Sequence, residues 1–243
     1  MRYRMDLCYS GEGFCGWQRQ TDAPSVQAEI EKALRTLLKR ETAVTGAGRT
    51  DTGVNASAYV AHFDSPGPLD TGQLVHSLNA ILPRTVAIRS IERTEDDFHA
   101  RFNAVRREYK YFIHRRKDPF ADAGSLLYAY PDLDFEKMNR AAGALAGTHD
   151  FSCFEKSGGD NKTSVCTVFE AVWSKTDEDH WVFTIAADRF LRNMVRAIVG
   201  TLLEVGRGRR DPDDIKELLE CKNRCRAGES VPGHALFLTE VRY

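Results

Sequence analysis

Alternation is the first pattern along the chain: Tyr3, Met5, Leu7 and Tyr9 fall on one side of residues 3 to 9, with Arg4, Asp6 and Cys8 between them. A period of two predicts a half-buried β-strand. The period then changes. Pro24-Ser25 marks a helix start, and Val26, Ile30, Ala33, Leu34 and Leu37 share one face at helical spacing. A strand is predicted near 58 to 63. Leu74, Val75, Leu78, Ile81 and Leu82 predict a second amphipathic helix that stops at Pro83, and a strand at 86 to 92 closes the first unit. The order strand, helix, strand, strand, helix, strand matches the split βαβ, ferredoxin-like pattern.

A second unit of similar type starts with a strand from Tyr109 to Ile113 and continues through a helix at about 134 to 146 to strands near 167 to 175 and 181 to 187. Helices are predicted at about 190 to 206 and 213 to 220, then a last strand from Leu236 to Val241. No low-complexity linker separates the halves. Periodicity alone gives an α+β class.

Between the first helix and the strand near 58 runs Gly46-Ala-Gly-Arg-Thr-Asp51-Thr-Gly-Val-Asn-Ala56. Glycines at 46, 48 and 53 permit conformations and close approaches that a β-carbon resists, leaving Arg49 and Asp51 projecting from a tightly specified loop. The dinucleotide fingerprint G-x-G-x-x-G would need glycine at 51, where Asp51 stands. The phosphate loop G-x-x-x-x-G-K-[ST] would need lysine where Val54 stands. What remains is a lone carboxylate beside Arg49, which suits a nucleophile or general base better than a metal site, since no further oxygen or nitrogen ligands cluster here. The plain alternative is that Asp51 caps the loop's own amides.

Composition narrows the class. With 42% hydrophobic and 28% charged residues, 243 residues suit a soluble globular protein with a sizeable core. No apolar run approaches the roughly 18 residues that span a bilayer, and the N-terminus lacks a signal-peptide core, so a cytoplasmic address is expected. Cysteines 8, 15, 153, 166, 221 and 225 form no C-x-x-C pair and have no zinc-site spacing; all are expected reduced, with no metal. A net charge of -1 leaves nucleic-acid affinity to local clusters. Arg101, Arg106, Arg107, Lys110, Arg115, Arg116 and Lys117 are opposed only by Glu108 within 101 to 117. Arg189, Arg192, Arg196, Arg207, Arg209 and Arg210 form a second group, opposed by Asp188 and Glu204. A charge run is commonly a solvated face; two of them favour a phosphate track.

The motifs together carry a resemblance. Gly48-Arg-Thr-Asp-Thr-Gly-Val-Asn-Ala56 followed by Ser57-Ala-Tyr-Val-Ala-His-Phe63 resembles the catalytic motif of the tRNA pseudouridine synthase A family. Gly16-Trp-Gln-Arg-Gln20 with Ser25-Val-Gln27, Phe98-His-Ala-Arg-Phe-Asn-Ala104 with Arg107-Glu-Tyr-Lys-Tyr111, Asp150-Phe-Ser-Cys-Phe154, and Phe190-Leu-Arg-Asn-Met-Val-Arg196-Ala-Ile-Val-Gly200 resemble further family blocks, in family order along nearly the whole chain.

The resemblance implies two ferredoxin-like, RRM-like α+β lobes, 1-105 carrying the Asp loop and 106-243 following it, whose antiparallel sheets join into one extended sheet with a central catalytic cleft. It implies conversion of uridine to pseudouridine at positions 38, 39 and 40 of the tRNA anticodon stem-loop, by a homodimer without cofactor, metal or membrane. Asp51 is then the essential carboxylate and nucleophile. Attack at C6 of the base, bonding to C1′ and removal of the C2′ proton all remain open routes. Each needs the ionised form, which a dry cleft disfavours unless a cation is near.

By the same resemblance Arg196 is that cation. Arg189, Arg192 and Arg196 would share a helix face beside Val195, Ile198, Val199 and Leu202; as residues alone they read equally as solvated arginines whose stems cover apolar surface. Tyr109 resembles the family tyrosine that stacks on the target uracil, with Tyr111 on the same strand face as the alternative and a core tyrosine as the plain reading of either. Arg49 resembles the arginine that enters the space left by the flipped uridine; by residue type alone it is a phosphate contact. Arg107, Lys110, Arg192, Arg189 and Arg101 are expected on the RNA. Two positions depart from the family pattern: Asn55 stands where histidine is usual, and Cys166 where arginine is frequent. A noncatalytic RNA-binding protein of the same fold and a metal- or nucleotide-dependent hydrolase are the rivals. Intact Asp51 and Arg196 argue against the first, the missing ligand cluster and phosphate loop against the second.

Overall fold

A computed structural model describes residues 1–243 apart from Pro131, Ser157, Gly159, Asp160 and Asn161. The chain divides into one unit of Met1–Val105 with Leu238–Tyr243 and another of Arg106–Phe237.

In the first unit β1 (Arg2–Tyr9) buries Tyr3, Met5, Leu7 and Tyr9, as its period of two requires. Helix α1 (Val26–Leu38) begins where the Ser25 hydroxyl accepts the Ala28 N–H at 3.4 Å, and ends at Lys39 with φ 57. Val26, Ile30, Ala33 and Leu34 face inward. Strands β2 (Val44–Gly46) and β3 (Asn55–Asp64) flank the glycine-rich loop. Helix α2 (Thr71–Ile81) is capped by Asp70, whose carboxylate accepts the Gln73 N–H at 2.9 Å, and β4 (Val86–Thr94) follows. Leu74, Leu78 and Leu82 bury the inner face of α2, but Ile81 is 47% exposed. The backbone turns extended at Leu82, and that residue supplies the buried contact in place of Ile81. In the antiparallel sheet Met5 of β1 lies opposite Ala61 of β3 and Ile91 of β4, and β2 pairs with β3. The resulting order, β4-β1-β3 with β2 on the far side of the same ladder, is that of the split βαβ pattern.

The second unit contains β5 (Arg106–His114), β6 (Leu126–Leu127), α3 (Phe135–Gly143), β7 (Gly147–Asp150), β8 (Val165–Lys175), β9 (His180–Ala187), α4 (Met194–Gly206) and α5 (Asp214–Cys221). Its sheet runs β5-β9-β8-β7, antiparallel, with Tyr109 opposite Ile185 and Tyr111 opposite Phe183, while β6 adds a short parallel pairing on β5. Helix α3 packs on α4 and β8. The last strand, β10 (Leu236–Arg242), passes from one unit to the other: residues from Leu238 on cluster with the first. Val105 N–H donates to Arg242 O at 2.9 Å, and the Tyr243 hydroxyl donates to Ala100 O at 2.8 Å. Long-range pairing of this kind leaves no trace in local periodicity.

One expected element starts later than its apolar pattern. Helix α4 begins at Met194, because Asn193 is left-handed at φ 64 and its side-chain amide is spent on Ser230 Oγ. Arg189 and Arg192 therefore precede the helix, and the expected shared face of three arginines is reduced to Arg196 alone. Among the described residues no helix is long and apolar enough to cross a membrane. The six cysteines are free thiols.

Candidate active site

Asp51 sits half-buried on the loop between β2 and β3, between buried Thr50 and exposed Thr52; Arg49 is exposed. Backbone and aromatic groups from distant parts of the first unit hold that loop. The Tyr59 hydroxyl donates to Gly48 O, and the Tyr9 hydroxyl and Thr50 Oγ1 share a hydrogen bond of 2.9 Å. Trp17 N–H donates to Thr50 O and Gly53 N–H to Phe14 O, each at 3.3 Å, and Val54 N–H closes the turn on Asp51 O at 3.1 Å. The rings behind these bonds form one cluster: Trp17 stacks on Tyr59 with centroids 4.1 Å apart, and Tyr9 lies 5.5 Å from Tyr59 and 6.0 Å from Trp17. Two of the loop's glycines have a direct reason. Gly53 turns at φ 74, and a β-carbon on Gly46 would stand 2.2 Å from the Tyr59 hydroxyl.

Upstream support comes from α1. Gln27 Nε2 donates to Val44 O at 2.8 Å while buried Glu31 accepts Val44 N–H at 3.0 Å, so both backbone groups of the first β2 residue are tied to the helix. Arg19 reaches Glu31 at 3.2 Å. Sequence reasoning did not find Tyr9, Tyr59 or Glu31. A strand tyrosine gives no signal that its hydroxyl holds a loop, but a glutamate beside Ile30 on the apolar face of α1 is a readable anomaly. Asn55 is also structural: its Oδ1 accepts Gly11 N–H at 2.8 Å, a neutral task that needs no titrating ring.

In the second unit Arg107, Tyr109 and Lys110 lie on β5. Tyr109 is buried and meets Phe190 edge-on at 5.1 Å and 90°. Tyr111 is the core tyrosine. It is fully buried, its hydroxyl donates to Pro232 O at 3.1 Å, and burial raises its pKa above the usual phenol value, with the Arg196 charge acting the other way. Arg196 is half-buried on α4, and its Nε donates to Val231 O at 2.7 Å while Val231 N–H donates to Arg196 O at 3.2 Å. The segment crossing α4 is drawn in further by Thr201, whose Oγ1 accepts Gly228 N–H at 2.9 Å.

The remaining arginines divide by exposure. Arg107 is buried with Nη1 on Asp188 O at 2.7 Å, and the Asp188 carboxylate accepts the N–H groups of Thr167 at 2.8 Å and Arg189 at 2.7 Å, which ties β5 to the turn before α4. Lys110 lies 3.7 Å from Glu108. Arg192 is exposed, as is Arg101 in the first unit, whose guanidinium is over the Phe102 ring at 5.6 Å. Cys166 is buried with its thiol pushed up to about 12 by that burial, so it is a packing group in the neutral form. Among the described residues no group of three or more His, Cys, Asp or Glu side chains could hold a metal ion.

The expected site residues thus lie on both units: Arg49 and Asp51 on a clamped loop of the first, Tyr109 on β5 and Arg196 on α4 of the second. The family model described as tRNA pseudouridine synthase matches residues 8–103 and 141–243, spans that include Arg49, Asp51, Arg101 and Arg196. The chain belongs to the tRNA pseudouridine synthase family, whose members are isomerases. It is 50% identical over 243 residues to the tRNA pseudouridine synthase A of Bacteroides fragilis, covering 100% of this chain and 96% of that one. The corresponding protein of Parabacteroides distasonis is 49% identical over 244 residues, again with 100% and 96% covered. Likeness to the archaeal box H/ACA sRNP Nop10-Cbf5 complex is remote, at 13% identity and a TM-score of 0.35 over 83% of this chain and 44% of that one.

Proposed function

We propose that the protein isomerises uridine to pseudouridine in the anticodon stem-loop of tRNA, at positions 38, 39 and 40, with Asp51 as the nucleophile. The observation that carries the reading is the Asp51 loop: a half-buried carboxylate on a backbone fixed by Tyr9, Trp17 and Tyr59, in a chain of this family. Catalysis by a positioned group requires that kind of fixed backbone, because a nucleophile gains most when its approach is set before substrate arrives. The C1′–N1 bond of the uridine breaks, the base turns, a C1′–C5 bond forms, and the proton on C5 is lost as N1 gains one. Atoms and electrons balance without oxidant, water or cofactor.

Arg196 holds the negative charge of the carboxylate through this sequence, Tyr109 stacks on the uracil, and Arg49 occupies the space left when the uridine leaves its stack. Arg101, Lys110, Arg189 and Arg192 bind phosphates. Arg107, buried with its Nη1 on Asp188 O, is an RNA contact by resemblance alone. The active form is a cytoplasmic homodimer. Incubation of purified protein with unmodified tRNA, without metal or nucleotide, followed by nucleoside analysis and mapping of the modified positions, tests the reading. Pseudouridine confined to 38–40 is expected; its absence, or its appearance elsewhere in the tRNA, refutes the assignment.

A further inference from the structure

The turn after Phe98 carries an aromatic ring that the fold leaves in water. Phe102 is 74% exposed. A lone apolar residue at the surface normally needs no explanation, but this one is held there by a built support. The His99 ring lies against it with centroids 4.2 Å apart and planes 33° from parallel, and the Arg101 guanidinium stands 5.6 Å from its centroid.

The turn beneath is fixed from several directions. Arg2 Nη1 donates to Phe98 O at 2.9 Å, and the Tyr243 hydroxyl donates to Ala100 O at 2.8 Å. Buried His62 accepts Ala100 N–H on Nδ1 at 3.1 Å, and His99 Nδ1 accepts the N–H groups of Arg101 at 3.2 Å and Phe102 at 3.3 Å. These bonds make the turn rigid, yet Phe102 adds little to its stability, since burial is what makes a ring stabilising.

We propose that Phe102, backed by His99 and flanked by Arg101, is a stacking platform for an unpaired nucleobase of the tRNA substrate. This rests on the function proposed above. The chemistry favours nucleic acid over a protein partner: the ring is backed by His99, the Arg101 guanidinium over it supplies a cation for a phosphate, and its chain neighbours Arg101 and Asn103 are polar. A base is flat and needs one ring; a protein interface needs a larger hydrophobic centre.

The test measures affinity for an unmodified tRNA transcript and pseudouridine yield in parallel, using the full-length protein. Phe102→Ala is expected to raise Kd about tenfold, equivalent to about 1.4 kcal/mol, with the loss falling on Kd and KM rather than on kcat and with an unchanged salt slope. Phe102→Trp should keep the affinity and show fluorescence quenching by tRNA beyond that of the native tryptophans. Arg101→Ala should instead flatten the salt dependence by about one phosphate contact. Native affinity in Phe102→Ala overturns the proposal. So does a shift from dimer to monomer in that variant, which would assign the ring to a second copy of the chain. A native protein that forms no pseudouridine refutes the function, whereas an active native protein with an unaltered Phe102→Ala Kd refutes the platform alone.

Discussion

The two units hold their proposed reactive groups by opposite means. Asp51 stands on irregular backbone, and its position depends on the hydroxyls of Tyr9 and Tyr59, the N–H of Trp17 and the carbonyl of Phe14. Arg196 stands on a helix whose own ladder fixes the backbone, with the crossing segment at Val231 adding one bond to the side chain and one to the main chain. Close packing serves both. A β-carbon on Gly200 of α4 would lie 1.8 Å from Glu229 O, as one on Gly46 would strike Tyr59. A loop-borne group is therefore sensitive to the loss of single distant contacts, while a helix-borne group has regular structure to fall back on.

The largest effect expected is at the loop itself. Asp51→Asn keeps the side-chain shape but removes the proposed nucleophile, and should lower single-turnover pseudouridine formation by roughly a thousandfold or more with tRNA Kd nearly unchanged. Near-native turnover in that variant would end the catalytic assignment. Arg196→Met should come next, at roughly a hundredfold in the same assay, if Arg196 acts as the cation proposed for the carboxylate. If Kd rises and the single-turnover rate at saturating tRNA does not fall, Arg196 is a phosphate ligand and the comparison loses its second member.

The first unit also carries a source of acid sensitivity. Burial, with help from Arg2 and His99, pushes the His62 imidazole down to about 4 from its usual 6.5, and burial lowers His99 as well. The folded form binds the neutral ring, so between pH 6.5 and 4 the unfolded chain takes up the proton and the folded one does not. Stability falls as pH falls through that window. His62 alone accounts for about 2 kcal/mol between pH 7 and pH 5. His62→Asn offers a neutral acceptor to Ala100 N–H and should remove that part of the slope in urea unfolding; an identical slope in both proteins would assign the acid sensitivity to other groups.

Much of this was open to sequence reading where one face of an element is buried. The β1 stripe, the inner face of α1 and the stop of α2 before Pro83 follow from period and punctuation. The start of α4 does not, since Phe190 and Leu191 continue the apolar period that the left-handed Asn193 interrupts. Strands β6 and β7 are too short to carry a period. For the site, the spacing of glycines around Asp51 exposes the loop, and the block resemblance names Arg196 and Tyr109. The groups that hold the loop stay hidden because Tyr9 and Tyr59 sit on strand faces where any tyrosine would pack, and a hydrogen bond between residues 9 and 50 has no local signature.

The smallest expected effect is the sharpest test of the comparison, because it pairs equal chemical changes in the two units. Tyr9→Phe removes the hydroxyl bonded to Thr50, next to Asp51, and Tyr111→Phe removes the hydroxyl bonded to Pro232, next to the Val231 that holds Arg196. Tyr9→Phe leaves the hydroxyl of buried Thr50 without that partner and should cost about 1 kcal/mol of stability in urea unfolding, whereas Tyr111→Phe leaves the carbonyl of exposed Pro232 to water and should cost less. Their activities should differ. Thr50 and Asp51 have no ladder to keep them in place, so Tyr9→Phe should lower the single-turnover rate about fivefold without changing tRNA affinity. Helix α4 keeps Arg196 in position through its own hydrogen bonds, so Tyr111→Phe should stay within about twofold of the native rate. Equal rate losses in the two variants would show that a helix gives its reactive group no more security than a clamped loop does, and the contrast between the units would fall.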